Sequence, residues 1–457
     1  MSLPMNLPNY FLADLPPEAV LTPAIITEAC RTLKQNRTRY LADRPTAQLV
    51  RVIARVSSNW RDAEFPFRKL ALDLGPADTG FSRATLAAGL DTFFARITEE
   101  NLNLLLEQEL GDARRLDEFA ALPGERLEKR ASTANGPALI AHIAAGNLPC
   151  PALMSLIHGI LLHSAQFLKC ASGAALLPRL FAHSLYDAEP KLGACLEIAE
   201  WPGGKLSFEE ALFAEADSVT ATGADNTLAA IGQRLPQHTR FHGHGHRVSF
   251  GYLSRDALTH AHARSLAQQA ARDVAAWDQQ GCLSPHLFYV EKDGAVSAEK
   301  FAEILAKELE AHEQHTPRGS LDVASAASIA TRRAFYDVRA AHSPETRQWC
   351  SDGSTAWTVV YEADARFQIS CLNRFVFVKE IESLDEVLRA AEIVRGQVST
   401  VGLAAPPATA KEIARRLARW GVTRICPLGQ MQDPPLTWRQ DGRGTLSDLV
   451  TWTDWED

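Results

Sequence analysis

A cysteine placed between a helical run and an apolar strand is the residue in this chain that most invites chemistry. Residues 276–291 read AWDQQGCLSPHLFYVE. A helix is expected to end at Trp277, the short polar turn Asp278-Gln279-Gln280-Gly281 follows, and Cys282 closes it. After Pro285 the run His-Leu-Phe-Tyr-Val has the composition of a strand. This placement beside a glycine lets a thiol face a cleft, whereas a structural cysteine more often sits inside an apolar run, as expected of Cys195 and Cys371. A nucleophilic thiol needs a base or a lowered pKa, donors for an oxyanion, and an acceptor for the acyl group or electrons. Asn147, in the turn Gly146-Asn147-Leu148-Pro149, offers an amide donor, or else satisfies only its own turn. Lys169 ends a strand, where its ammonium meets a ribose, a phosphate or simply solvent. His242, His244 and His246 alternate with glycine, and H-x-H on a strand puts two imidazoles on one face. No carboxylates or further histidines stand in a matching pattern, so no metal is expected and a polar crossing is the plainer reading.

The elements that position these residues follow from periodicity. Residues 1 to about 130 read mostly as helix, with apolar residues at three- and four-residue spacing over 47–60, 82–97 and 99–110. The character changes at Gly136. A buried strand over 139–144 leads through the Asn147 turn to a helix opened by Pro151 and running to about 164. A strand over 166–170 and a helix over 174–186 complete the strand–helix–strand unit of a parallel sheet. Two more rounds follow: strand 195–199, helix 208–216, strand 218–222, then Thr222-Gly223 and a helix over 225–235. A glycine between strand and helix lets a dinucleotide's phosphates approach a helix N-terminus, although the GxGxxG fingerprint is absent. Residues 240–253, RFHGHGHRVSFGYL, read as an extended crossing into a second domain. A helix over 261–277 delivers the chain to Cys282. Beyond it come strand 286–291 and an amphipathic helix from 297 with Phe301, Ile304, Leu305 and Leu309 on one stripe. Residues 313–355 look less regular. Strands 356–361 and 375–379, helices 384–394 and 411–420, a last strand over 424–426 and a Pro- and Trp-rich tail complete two α/β domains without internal repeats.

The 457 residues are enough for two or three domains with substantial cores. A net charge of −8 with no basic block argues against nucleic-acid binding. The eight cysteines are scattered with no CxxC pair, which points to a reducing cytoplasm rather than to disulfides or zinc fingers. The first twenty residues lack the pattern of a signal peptide. The longest apolar segment, 153–162, is too short to span a bilayer.

The motifs, in order, resemble those of the aldehyde dehydrogenase superfamily. That superfamily has an Asn in a Trp-Asn-x-Pro turn, a Lys in a Lys-Pro-Ser-Glu motif, a Thr-Gly-Ser turn and a catalytic Cys. Here Gly146-Asn147-Leu148-Pro149, Lys169-Cys170-Ala171-Ser172, Thr222-Gly223-Ala224 and Gly281-Cys282 occur in that order at similar separations. The closer similarity is to its acyl-CoA reductase branch, the LuxC type that makes fatty aldehyde for bacterial luminescence. It rests on Asp278-Gln279-Gln280-Gly281-Cys282-Leu283-Ser284-Pro285, and on Arg424-Ile425-Cys426-Pro427-Leu428-Gly429 through Trp438 to Leu449-Val450-Thr451-Trp452. The likeness spans roughly residues 130–457. The superfamily's Glu-Leu-Gly-Gly-Lys motif falls near Gly243-His244-Gly245-His246-Arg247, which has no glutamate to activate water. Ser172 falls where NAD-specific members place a ribose-binding Glu, and a hydroxyl beside Lys169 accepts a 2′-phosphate.

The resemblance implies an aldehyde dehydrogenase-like α/β fold. Residues 1–255 would hold a helical region and an NADP-binding Rossmann-type domain, 256–430 the catalytic domain, and 431–457 a segment that helps the chain form a homo-oligomer. It further implies NADPH-dependent reduction of an acyl-CoA, or of an acyl-carrier substrate, to the aldehyde. Cys282 would carry the acyl group, Asn147 and the Cys282 N–H would hold the oxyanion, and His244 or His246 would trade the proton. Lys169, Ser172, Thr222 and Gly223 would bind the cofactor, and an acyl-activating enzyme would be a partner. The alternatives are an oxidative aldehyde dehydrogenase and a cofactor-free cysteine thioesterase or acyltransferase.

Overall fold

The computed structural model describes residues 7–16 and 18–456, so the signal-peptide reading of residues 1–20 falls partly outside the described residues. The chain opens with five helices, Pro23–Tyr40, Thr46–Arg61, Pro66–Thr79, Arg83–Arg96 and Glu99–Leu110. Thr22, Ser82 and Thr98 cap three of them by accepting N–H bonds from Ile25, Thr85 and Asn101. Their apolar faces meet at Trp60, which stacks on Phe94 with ring centroids 5.1 Å apart and donates its indole N–H to Ser184 Oγ at 2.9 Å. That bond fastens the helical region to the helix Leu176–Ala188 of the next domain.

Fourteen strands are seen among the described residues: β1 (Arg130–Asn135), β2 (Leu139–Ile143), β3 (Ala165–Cys170), β4 (Leu196–Glu200), β5 (Ser218–Thr222), β6 (Arg240–His244), β7 (Val248–Leu253), β8 (Pro285–Glu291), β9 (Thr346–Cys350), β10 (Thr358–Glu362), β11 (Phe375–Ile381), β12 (Val398–Ala404), β13 (Arg424–Pro427) and β14 (Thr451–Glu456). The first sheet is wholly parallel in the order β4-β3-β2-β5-β6, with helices between successive strands. The second has the order β13-β12-β7-β8-β11-β10-β9 and is parallel except for β9. Strands such as β3 and β7 are buried along their whole length, which explains their near-continuous apolar sequences. β1 and β14 form a separate antiparallel pair.

Several elements depart from the sequence expectation. Because β7 is a central strand of the second sheet, the sheets divide at residues 245–247, N-terminal to the expected boundary after 255. The stretch 313–355 contains the long helix Val323–His342 and β9. β12 lies in the stretch between the expected helices 384–394 and 411–420, to which the sequence assigns no element, and the tail carries β14. Among the described residues, no helix is long and apolar enough to cross a membrane.

Candidate active site

In a parallel sheet the C-terminal strand ends share one edge. The first sheet therefore aligns Ile143, Lys169, Glu200, Thr222 and His244, with Thr222 paired directly to His244 and Ile143 to Lys169. Ligands of open α/β sheets bind at this edge. Lys169 is only 5% exposed and forms no ion pair with any described residue. Desolvation holds its pKa below the ordinary lysine value, although Glu209, Cys170 and Glu200 oppose that shift. A buried, unpaired ammonium at a ligand edge suits an anionic group. Ser172 is exposed two residues beyond the end of β3, beside Gly173, whose N–H donates to Glu200 Oε1 at 2.7 Å. Gly223 donates its N–H to the His244 carbonyl, and a Cβ placed on it would meet nothing closer than Thr227 at 3.9 Å. Internal packing therefore does not demand a glycine there.

The Cys282 loop faces this edge. Asn147 Nδ2 donates to the Gln280 carbonyl at 2.9 Å, which brings the Asn147 turn and the cysteine loop together. Ser249 Oγ, at the start of β7, donates to the Cys282 carbonyl at 2.7 Å. The turn expected to be merely polar is in fact buried and left-handed. Trp277, Asp278 and Gln279 have φ of 51°, 49° and 66°, and so do Leu372, Asn373 and Arg374 at 59°, 56° and 64°. Each such residue costs about 1–2 kcal/mol, so the two triplets need holding. Asp278 pairs with Arg374 at 2.7 Å, with side chains 5% and 1% exposed. Gln280 Nε2 donates to Asn373 Oδ1 at 2.6 Å, and Gln279 Nε2 donates to the carbonyls of Pro285 and Phe375. Trp277 reaches back to the helical region, where a Cβ on Gly89 would lie 2.1 Å from its ring.

Cys282 opens to solvent in the cleft. The protein crowding its other sides pushes the thiol up to about 11, and the Asp441 carboxylate adds to that shift. Its own N–H, the Leu283 N–H and the Arg247 guanidinium pull the other way. At rest the group is a thiol that needs a base. His244 is the candidate base with a built environment: its Nδ1 lies 2.9 Å from Asp441 Oδ2, and Arg247 Nε donates to Asp441 Oδ1 at 3.1 Å. His246 is exposed, and only its backbone is held, by Asp225. The position that lacks a glutamate in sequence thus acquires a carboxylate in space from the C-terminal segment. Beside His244 opens a solvent-connected pocket lined also by His142, His158, His242, Thr222 and Arg443. Burial lowers His142 and His158 to about 4, so both are neutral imidazoles. Among the described residues, no group of three or more His, Cys, Asp or Glu side chains forms a metal-binding cluster.

The sequence model of the acyl-CoA reductase (LuxC) family matches residues 41–452. The chain belongs to that family. It is 23% identical over 393 residues to the long-chain acyl-protein thioester reductase of Aliivibrio fischeri, covering 84% of this chain and 76% of that one. Among solved structures, the bifunctional proline utilization A protein superposes with a TM-score of 0.73 at 18% identity over 97% of this chain, which spans 45% of that protein's length. Aldehyde dehydrogenase C from Pseudomonas syringae gives 0.70 at 13% identity, over 96% of this chain and 90% of its own. The fold is that of the aldehyde dehydrogenases. Within this LuxC-family fold, the Asn147 turn adjoins the loop that carries Cys282 through the Gln280 carbonyl, while Lys169, Thr222, Gly223 and His244 lie on one sheet edge with Ser172 in the loop that follows β3. Asp441 and Glu200 carry no local motif. The Asp441-Gly442 dipeptide signals a turn, but nothing in it signals a partner for His244.

Proposed function

We propose that this chain reduces a long-chain acyl thioester, acyl-CoA or acyl-carrier, to the aldehyde through an acyl group carried on Cys282. The observation that carries this reading is the hydrogen bond from Asn147 to Gln280, because it sets the nucleophile loop against the edge that holds a buried, unpaired Lys169. Cys282 attacks the carbonyl, Asn147 and the Cys282 N–H receive the oxyanion, and the thiol of the donor leaves. A reduced nicotinamide cofactor, when bound, supplies hydride to the thioester carbon. Lys169, Ser172, Thr222 and Gly223 would hold it, and the Lys169 ammonium with a hydroxyl at 172 in place of a carboxylate would favour NADPH. The Aliivibrio fischeri relative's name supports the thioester substrate, and the Pseudomonas syringae structure, solved with NAD+ and octanal, supports the cofactor. The C-terminal segment pairs with a second copy of the chain, and an acyl-activating enzyme supplies the thioester.

The Asp441–His244 pair favours a second reading, hydrolysis of the same acyl-enzyme, since an oriented imidazole also activates water. Substrate and product separate the two. Acyl-CoA should oxidise NADPH with aldehyde and CoA formed in equal amounts, and Cys282→Ala should abolish this. Free acid formed without reductant would make the thioesterase reading the right one.

A further inference from the structure

The C-terminal segment crosses back over both domains and is tied down along its length. Arg96 pairs with Asp433, and Glu109 Oε2 accepts the N–H groups of Thr445, Leu446 and Ser447. Arg240 holds the Val450 carbonyl at 2.7 Å, and Leu446, Leu449 and Val450 are buried among the N-terminal helices. Midway along it, Asp441 adopts φ 55° and turns a side chain only 7% exposed onto His244 and Arg247. His244 ends β6, and Arg247 is the last of the three residues that cross to β7.

We propose that Asp441 is a positioning residue that fixes His244 with its proton on Nδ1, so that Nε2 exchanges the proton of Cys282. The inference rests on the reading of Cys282 as the acyl carrier. Burial works against charge on Asp441, yet the hydrogen bond from His244 and the nearby Arg247 guanidinium hold its carboxyl below the usual range. An ionised carboxylate only accepts, so the Nδ1 atom facing it must donate. Nε2 makes no hydrogen bond among the described residues. Ser249, two residues beyond Arg247, donates its Oγ hydrogen to the Cys282 carbonyl at 2.7 Å, which sets the cysteine loop against the end of the crossing that carries the pair. The other titratable groups around His244 are His142, His158, His242, Arg443 and Asp448 of the adjoining pocket. In the first half-reaction Sγ bonds to the thioester carbon and its proton passes to Nε2. The bond from that carbon to the donor sulfur then breaks, and the leaving thiolate takes the proton. In the second, the thioester carbon gains hydride, its bond to Cys282 breaks, and Sγ recovers a proton from solvent through Nε2.

The test is Asp441→Asn. Asparagine tolerates a left-handed backbone and still accepts from Arg247, but its amide donates to Nδ1 and moves the imidazole proton to Nε2, the wrong tautomer. Acylation of Cys282 by acyl-CoA, followed by intact mass in rapid quench, should slow by about 10²–10⁴-fold with Tm and NADPH binding unchanged. Side-chain ¹⁵N shifts of His244 should report the proton on Nδ1 in the wild type and on Nε2 in the variant. His244→Gln, which keeps a donor for Asp441 but removes the base, should lose as much, and carries the test alone if the first variant does not fold. Acylation by either variant at the wild-type rate, or an unchanged tautomer, overturns the proposal. A wild-type enzyme that never gains an acyl group on Cys282 refutes the underlying reading instead, and the role of His244 falls with it.

Discussion

Lys169 shows how much a single buried charge constrains the ligand. With no ion pair among the described residues, it is poised for an anion supplied from outside. Whether that anion is a 2′-phosphate turns on two neighbours, the exposed Ser172 hydroxyl and the Glu200 carboxylate bound to the Gly173 N–H. Ser172→Glu should weaken NADPH relative to NADH by roughly 1 kcal/mol, about fivefold, because the position is exposed and solvent screens the repulsion. Glu200→Gln should shift the ratio toward NADPH. Titration of both cofactors by nicotinamide fluorescence measures this, and ratios unchanged in both variants would remove these residues from cofactor selection. Cys282, Asn147 and Lys169 were legible because each stands where a strand or helix ends, at local punctuation that a sequence displays. Asp441 and Glu200 were not. Their relation to the site exists only after segments far apart in the chain have been brought together.

At the scale of elements, the nucleophile loop is an energetic debt held by its surroundings. Six left-handed residues in two facing triplets are clamped by the Asp278–Arg374 pair, with Glu313 also on Arg374 at 2.6 Å. Removing one partner of a buried pair costs about 3–5 kcal/mol, since the other charge is left unpaired. Arg374→Met should therefore lower Tm by several degrees and reduce Cys282 acylation, although Arg374 pairs with the loop and not with Cys282. Thermal unfolding with acylation rates checks this, and an unshifted Tm with full activity would show that the loop keeps its shape unaided. Elements with strong burial were the legible ones, β2, β3 and β8 above all. The helix Val323–His342 was missed because only Ile329 and Tyr336 of it are buried, so its Ala- and Ser-rich sequence carries little periodic signal. β14 is exposed along its whole length, and the apolar sequence pattern of β12 is interrupted by Gly402, which is needed because a Cβ there would meet Met431 Sδ at 2.6 Å.

For the whole molecule, two sheets present opposite resources to one cleft: a ligand edge on the first and a nucleophile loop on the second, with the C-terminal segment binding both. The proposed chemistry requires that an acyl group wait on Cys282 until hydride reaches it. The most direct test is a two-step mass measurement. Enzyme mixed with acyl-CoA alone should gain one acyl mass, mapped to the Cys282 peptide, and hold it while releasing little free acid. Addition of NADPH should then discharge that mass as aldehyde, one per acyl group. Loss of the acyl mass as fatty acid before any reductant is added, or its presence on a residue other than Cys282, would contradict the account.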